Sequence, residues 1–398
     1  MTMTNGVPAV LFIVTLGASL ASILYLAFAT WRVALHKAHH QRNNLPSSAS
    51  MNLEPVTVLK PICGPDPNLY ENLRSFCQQA YPHFQLVFGV SDPEDPATRI
   101  IQQVIADFPD LDLALVAESR LIGKNFKVSS LANMLRIAKH DILVIADSDM
   151  RVQPDYLRTI VAPFADADVG AVTCLYQGNP VGGLASTLAA MFINEWFLPS
   201  VLVALAFERL RYCFGATIAV RRDALAAIGG FEALADELAD DYMLGRLISK
   251  RGYRIHLASC LVENIVLEPD LKALFLHELR WARTVRSVRP VGYALSFLTY
   301  SLPVSILFLL VTLGTRFADV GVIAVALAIG LRVLMHYAVR SAFAISSPAG
   351  PWLIPIREIL AFFVWCASFL GRRVQWRNGK FSLDSDGRLT VVQGRLNV

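Results

Sequence analysis

Hydrophobic positions fall into two regimes along the chain. Towards both ends they run on with hardly a charge, whereas the middle carries short apolar bursts between amphipathic stretches. The first long run, residues 8–31, is uncharged and long enough to cross ~30 Å of hydrocarbon. It has no basic segment ahead of it and exceeds the roughly 7–15 residues of a signal-peptide core, so it reads as a retained anchor. Arg32, Lys37 and Arg42 follow, and the positive-inside rule then puts the next segment in the cytoplasm. His36, His39 and His40 come without a carboxylate or cysteine, which favours juxtamembrane headgroup contact over a metal cluster.

Residues 32–54 form a basic and then polar linker. From 55 to 289 the pattern changes to strands at 56–62, 85–91, 113–117, 142–146 and 171–175. These alternate with helices at 68–79, 96–107, 127–139 and 154–164. That rhythm predicts an α/β domain with a mainly parallel sheet. Residues 191–207 are apolar but interrupted by Asn194, Glu195 and Pro199, either as a buried helix or, preferably, as a membrane-interface segment. Membrane segments are expected over 290–372, with spans at 291–313 and 320–338. The run 359–370 is too short to span and suits an interfacial or re-entrant piece. Two C-terminal spans then leave a basic cytoplasmic tail, 373–398, with Arg373 and Arg377 following Arg372. No internal repeat or low-complexity tract is present.

Composition agrees with a membrane assignment: of 398 residues, 54% are hydrophobic and only 17% charged, too apolar for an ordinary soluble protein. A net charge of +4 gives no nucleic-acid footprint. The six cysteines are scattered, with no CxxC and no Cys/His ligand spacing, and read as reduced thiols.

Candidate chemistry sits where the apolar bursts end. Asp147-Ser148-Asp149 follows the strand Ile142–Ala146 directly, and open α/β sheets present ligands at the carboxyl ends of their strands. Two carboxylates so spaced suit a hard divalent cation that also takes phosphate oxygens. Asp92 ends another strand, where an acid grips a ribose or base edge, or simply caps a turn. Asp240 and Asp241 open a helix that runs to Arg251. They complement its dipole, or raise one another's pKa to leave a base near neutrality. In His277-Glu278-Leu279-Arg280-Trp281, Arg280 offers a planar fork for a diphosphate and Trp281 a flat face. An amphipathic interfacial helix with snorkelling arginines explains the same residues. Lys60 and Lys127 add cations near the same sheet edge. Gly123-Lys124-Asn125 lacks the Walker A order, and Gly215 allows a close backbone approach or a plain turn.

Taken in order, these stations resemble the ceramide glucosyltransferase family. These are inverting GT-A lipid glycosyltransferases, and bacterial hopanoid-associated glycosyltransferases share the pattern. The resemblance runs through VLKPICGPDPNLYENL (58–73), YPHFQLVFGVSDPEDPA (81–97), NFKVSSLANM (125–134), DILVIADSDMRVQPDYL (141–157), CFGATIAVRRDALAAIGGF (213–231) and ELADDYMLGRLISKRGY (237–253). It implies a GT-A nucleotide-diphospho-sugar transferase domain with N- and C-terminal transmembrane helices. Asp92 would contact uridine, with Lys60, Lys127, Asp147, Asp240 and His277 also on the donor side. Asp147 and Asp149 would hold Mg²⁺ or Mn²⁺. Asp241 would be the general base, and Arg280 and Trp281 would close the pocket. His277 stands where the family pattern has Gln or Arg, which leaves its role open. The implied reaction moves one sugar from a UDP-sugar to a membrane lipid: glucose to ceramide, or else N-acetylglucosamine to a hopanoid. The implied location is a multi-pass protein of a bacterial inner membrane with its catalytic domain cytoplasmic. A processive polysaccharide synthase is disfavoured by the few C-terminal spans. A transporter or scaffold would line its spans with charges, and Arg332 is the main one.

Overall fold

The computed structural model describes residues 6–43, 53–66, 68–376, 379–384 and 387–391. Residues 44–52 of the expected linker, the side chains of His39, His40 and Arg42, and Arg377 of the expected tail lie outside that description. Chain contacts divide the protein into two units. One comprises Met1–Leu45, Pro180–Glu208 and Glu268–Arg372, and the other comprises Pro46–Asn179, Arg209–Leu267 and Arg373–Val398.

The second unit is an α/β domain. Its strands are β1 Val56–Pro61, β2 Phe84–Val90, β3 Asp112–Ala117, β4 Ile142–Ala146, β5 Met150–Arg151, β6 Val169–Pro180, β7 Thr217–Arg221 and β8 Arg254–Val266. They lie in the order β3-β2-β1-β4-β7-β6-β8-β5. The block β3-β2-β1-β4 is parallel, as the alternation of strands and helices requires. From β4 onward the pairing with β7, and of β7 with β6, is antiparallel. β4 is buried at every position, in keeping with its unbroken apolar run. Successive residues point to opposite faces. Ile142, Val144 and Ala146 join one core layer with Phe76, Phe88 and Tyr156, while Leu143 and Ile145 join the other with Val87, Leu244 and Ile248.

β7 and β8 are not among the strands expected from the sequence. β7 is short and leads straight into the helix Arg222–Ala227, and β8 mixes polar residues such as Arg254, His256 and Glu263 into a partly exposed strand. A further departure is the chain end. Instead of a plain basic tail, it forms a small antiparallel sheet of β9 Arg373–Trp376, β10 Gly379–Leu383 and β11 Leu389–Val391.

The helix Asp240–Lys250 lies close against the segment before β7. A Cβ at Gly245 would stand 2.6 Å from the backbone nitrogen of Cys213, so only glycine fits there without a shift.

The first unit is helical. Ala9–Ala38, Leu184–Phe207, Ala318–Phe343 and Pro351–Ser368 are each long and apolar enough to cross a membrane. The expected picture changes in three places. Residues 191–207 belong to a largely buried helical stretch of 24 residues with a π-helical turn at Ile193–Phe197, which agrees with the buried-helix alternative rather than the preferred interface segment and is also long enough to span. The expected span 291–313 is a helix pair, Pro290–Thr299 and Ser301–Thr312, bent by 69°. Most of the run 359–370, too short to span by itself, belongs to an 18-residue helical stretch, Pro351–Ser368, that buries Arg357 and Glu358. These two charges broke the apolar run in the sequence. Both have partners: Arg357 donates to Glu278 at 2.6 Å, and Glu358 meets Arg332 at 3.3 Å. A third pair, His336 and Glu195, is 2.7 Å apart. Arg332 is thus one of six buried ionisable residues that form three opposite pairs in this unit.

Two substitutions test this packing. Gly245→Ala should cost about 1–3 kcal/mol by overpacking, read as a lower unfolding temperature in detergent. Arg332→Met strands the Glu358 carboxylate and should cost about 3–5 kcal/mol, most of it recovered when Glu358→Gln is added.

Candidate active site

The site of the α/β unit grows from the carboxyl end of β4. Ala146 pairs with Thr217, so the antiparallel β7 brings the chain segment before it to the edge where Asp147 emerges. The helix Asp240–Lys250 begins beside that segment, and Asp241 Oδ2 lies 3.0 Å from where a Cβ on Gly215 would be. The close approach expected at Gly215 is therefore made, with Asp241 as the neighbour.

Lys127 ties strand end to helix start. Its Nζ lies 2.5 Å from Asp147 Oδ1 and 3.9 Å from Asp240 Oδ2. Burial alone would depress this lysine, but Asp147 and Asp240 outweigh it and hold the ammonium firmly protonated. Asn125, the residue before the helix Phe126–Leu135, caps it by accepting from Val128 N at 3.0 Å. Its Nδ2 donates to Glu237 O at 2.8 Å and to Asp240 Oδ1 at 3.4 Å, fixing the approach to the acid pair.

Asp149 is reached from β8, where Asn264 Nδ2 donates to its Oδ2 at 2.8 Å. Burial, then Asp147 and Asp66, push the Asp149 carboxyl up to about 7. Asp66 also accepts from Ser148 Oγ at 2.6 Å. Asp241 is likewise pushed up to about 7, first by burial and then by Asp240. Asp240 is raised by burial, with Lys127 pulling the other way. The phenol of Tyr176 is raised by burial and by Asp241, Asp149 and Asp147. The site thus concentrates carboxylates around one well-protonated ammonium, and one of those carboxylates titrates near neutrality beside a helix N-terminus.

Lys60 corrects an expectation. Its side chain is fully buried, with Nζ donating to the backbone oxygen of Asp147 at 2.8 Å and lying 3.7 Å from the centre of the Phe76 ring. Burial depresses it to about 7, against the pull of Asp147 and Asp149. It holds the loop from beneath and is not presented to a donor. Asp92 lies at the same sheet edge, two strands from β4 and so about 10 Å away by strand spacing. Its exposed carboxylate accepts from Glu94 N at 2.9 Å, which is the turn-capping arrangement.

His277, Arg280 and Trp281 belong to the helix Leu271–Val288 of the helical unit. His277 Nδ1 lies 2.6 Å from Glu268 Oε1, and its ring meets Trp281 edge-on at 4.4 Å. Arg280 and Trp281 are half-buried. Arg283 and Arg286 donate to the carbonyls of Leu370 and Gly371 at 2.8 and 2.7 Å, a use that snorkelling alone does not require.

Sequence reasoning missed Asp66, Asn125, Tyr176 and Asn264. Only Asn125 left a usable signal, a cap residue before an amphipathic helix. Asn264 lies in a strand without clear alternation, and Asp66 precedes a helix where it reads as a turn residue.

The sequence model of glycosyl transferase family 21 matches residues 14–389. Ceramide glucosyltransferase 1 of Caenorhabditis elegans is 23% identical over 395 residues, covering 96% of this chain and 82% of that protein. Ceramide glucosyltransferase of Candida albicans is 34% identical over 172 residues, covering 40% of this chain and 31% of that protein. Among solved structures, a mannosyltransferase from Pyrobaculum calidifontis is similar with a TM-score of 0.49 and 20% identity, covering 89% of this chain and 98% of that one. With the family match extending over nearly its whole length, the chain belongs to glycosyl transferase family 21 and is a hexosyltransferase of the ceramide glucosyltransferase type.

Proposed function

We propose that the protein transfers one glucose from UDP-glucose to the primary hydroxyl of ceramide, with inversion, at the cytoplasmic face of a membrane. The observation that carries this is the acid pair at the start of Asp240–Lys250. Asp241, pushed up to about 7, is a base matched to a hydroxyl proton, and it feels the charges of Asp240, Lys127 and Asp147. Relatives named as ceramide glucosyltransferases support the acceptor and donor classes.

In this reading Asp241 takes the proton of the acceptor hydroxyl. The acceptor oxygen forms a bond to the anomeric carbon as the bond to the diphosphate oxygen breaks, and UDP leaves. One displacement gives inversion. Lys127 keeps Asp147 and Asp240 oriented and offsets their charge, and Asp92 is proposed to meet the uridine. The roles proposed for Arg280 and Trp281, closing on diphosphate and acceptor, rest on the motif alone, and that of His277 stays with its Glu268 contact.

A divalent Mg²⁺ or Mn²⁺ fits the donor set. Asp147 and Asp149 provide oxygen ligands only, and Asp149 is raised by burial first and then by the neighbouring charges of Asp147 and Asp66. Among the described residues no group of three or more His, Cys, Asp or Glu is arranged to hold a metal; an ion on these two carboxylates would take its remaining ligands from phosphates and water. Bound to Asp147 and Asp149, it would neutralise the leaving diphosphate. The apolar helices fit an acceptor drawn from a bilayer.

The test is a product assay of the detergent-purified protein with UDP-glucose or UDP-N-acetylglucosamine against ceramide or bacteriohopanetetrol, read by mass. A single-hexose ceramide is expected, and an N-acetylhexosaminyl hopanoid or a polymer in its place would overturn the acceptor assignment. Asp241→Asn should keep UDP binding and lose turnover by a factor of about 10²–10⁴. The pH profile carries a second expectation. A base must be deprotonated, so kcat/KM should rise as pH increases through about 7. Asp240→Asn removes the neighbouring charge and should move that limb to lower pH; an unmoved limb would assign it to another group.

A further inference from the structure

The helix that carries Asp240 and Asp241 starts without a capping side chain, since the residue before it is Ala239. What fixes its start comes from elsewhere. Asn125 holds one side through Glu237 O and Asp240. The remaining contacts come from the strands β9–β11. Leu389 N donates to Asp236 O at 2.8 Å, and Glu237 and Arg388 form an antiparallel bridge. Arg388 Nε also donates to Glu237 Oε1 at 3.2 Å, and that carboxylate is buried. Burial raises Glu237 and Arg388 draws it back down. Leu238, two residues before the acid pair, is buried in an apolar cluster with Val374, Phe381, Leu383 and Leu389. Phe126, the neighbour of Lys127, packs on that cluster, with its ring 6.5 Å from Phe381.

Polar backbone, ion pair and apolar contacts therefore converge on one segment, 236–239, which leads directly into the acids. We infer that the sheet β9–β11 is a brace of the active site, positioning Asp240 and Asp241 through residues 236–239. The residues of the brace do not touch substrate. Arg388 and Phe381 act through the loop they hold, Arg388 by neutralising Glu237 and Phe381 by filling the space under Leu238. The inference rests on the proposed function for the identity of the base, but the contacts it uses are independent of donor and acceptor.

The experiment compares the unaltered protein with Arg388→Ala, Arg388→Lys and Phe381→Ala. Turnover is measured with UDP-glucose and ceramide, and backbone hydrogen exchange without substrate. With loss of the brace, exchange should quicken in 236–241 and not in β1–β4. The kcat per folded enzyme should fall about tenfold to a hundredfold, as for a misplaced catalytic group, while the donor KM holds; Phe381→Ala also opens a cavity and should lower the unfolding temperature, so turnover is counted per folded enzyme. Arg388→Lys should recover much of the turnover by restoring the charge beside Glu237. Unchanged exchange in 236–241 would overturn the inference, and so would quickened exchange with wild-type kcat. A loss of activity that only tracks the loss of folded protein also overturns it, by making the sheet a stability element alone. If the wild type itself fails to turn over these substrates, the assignment of donor and acceptor falls. The exchange measurement still decides whether the sheet holds the loop.

Discussion

An ammonium held between carboxylates is the contact around which the α/β unit is arranged. Lys127 lies 2.5 Å from Asp147 and 3.9 Å from Asp240, and so joins the end of a parallel strand to the start of a helix. Like charges 4 Å apart repel by about 4 kcal/mol at the effective dielectric of a protein edge. Gathering Asp147, Asp149, Asp240 and Asp241 without a cation would therefore be expensive. Lys127 meets part of that cost, and burial and mutual repulsion express the rest as raised carboxyls at Asp149 and Asp241. The same excess of negative charge makes the edge receptive to a cationic ligand. Lys60 serves the arrangement from below, where its contact with the Asp147 carbonyl sets the loop without adding a reachable charge.

The helical unit handles charge in another way. Arg357–Glu278, Arg332–Glu358 and His336–Glu195 each bring together side chains from different helices, and all six are buried. Surrounding donors complete some of these sites. Glu358 accepts from Ser301 Oγ and from Leu302 N, and Arg332 donates to the Thr299 carbonyl. A buried pair of this kind gives little net stability over an apolar replacement, yet losing one partner is costly. Its value lies in fixing which helix faces meet.

Much of this was legible from the sequence. The parallel strands announced themselves as apolar bursts, and β4 was bounded as observed because an unbroken apolar run ending in Asp147 has one reading. The helix of Asp240 and Asp241 was equally plain. Legibility failed where partners come from distant segments. Asn264 reaches Asp149 across 115 residues, and nothing around it marks a ligand-holding strand. Arg357 and Glu358 made a span look too short because the charges that offset them lie on other helices. Lys60 looked like a donor contact because a lysine at a strand end is usually exposed, and only tertiary packing turns it inward.

The sheet at the chain end also bears on the order of synthesis. Arg388 and Glu237 are 151 residues apart, and most of the helical unit is made between them. A ribosome completes every acid of the site long before it releases the strands that brace their loop. If the brace is needed for turnover, the enzyme stays idle as a nascent chain and starts work only when its whole helical portion has been made.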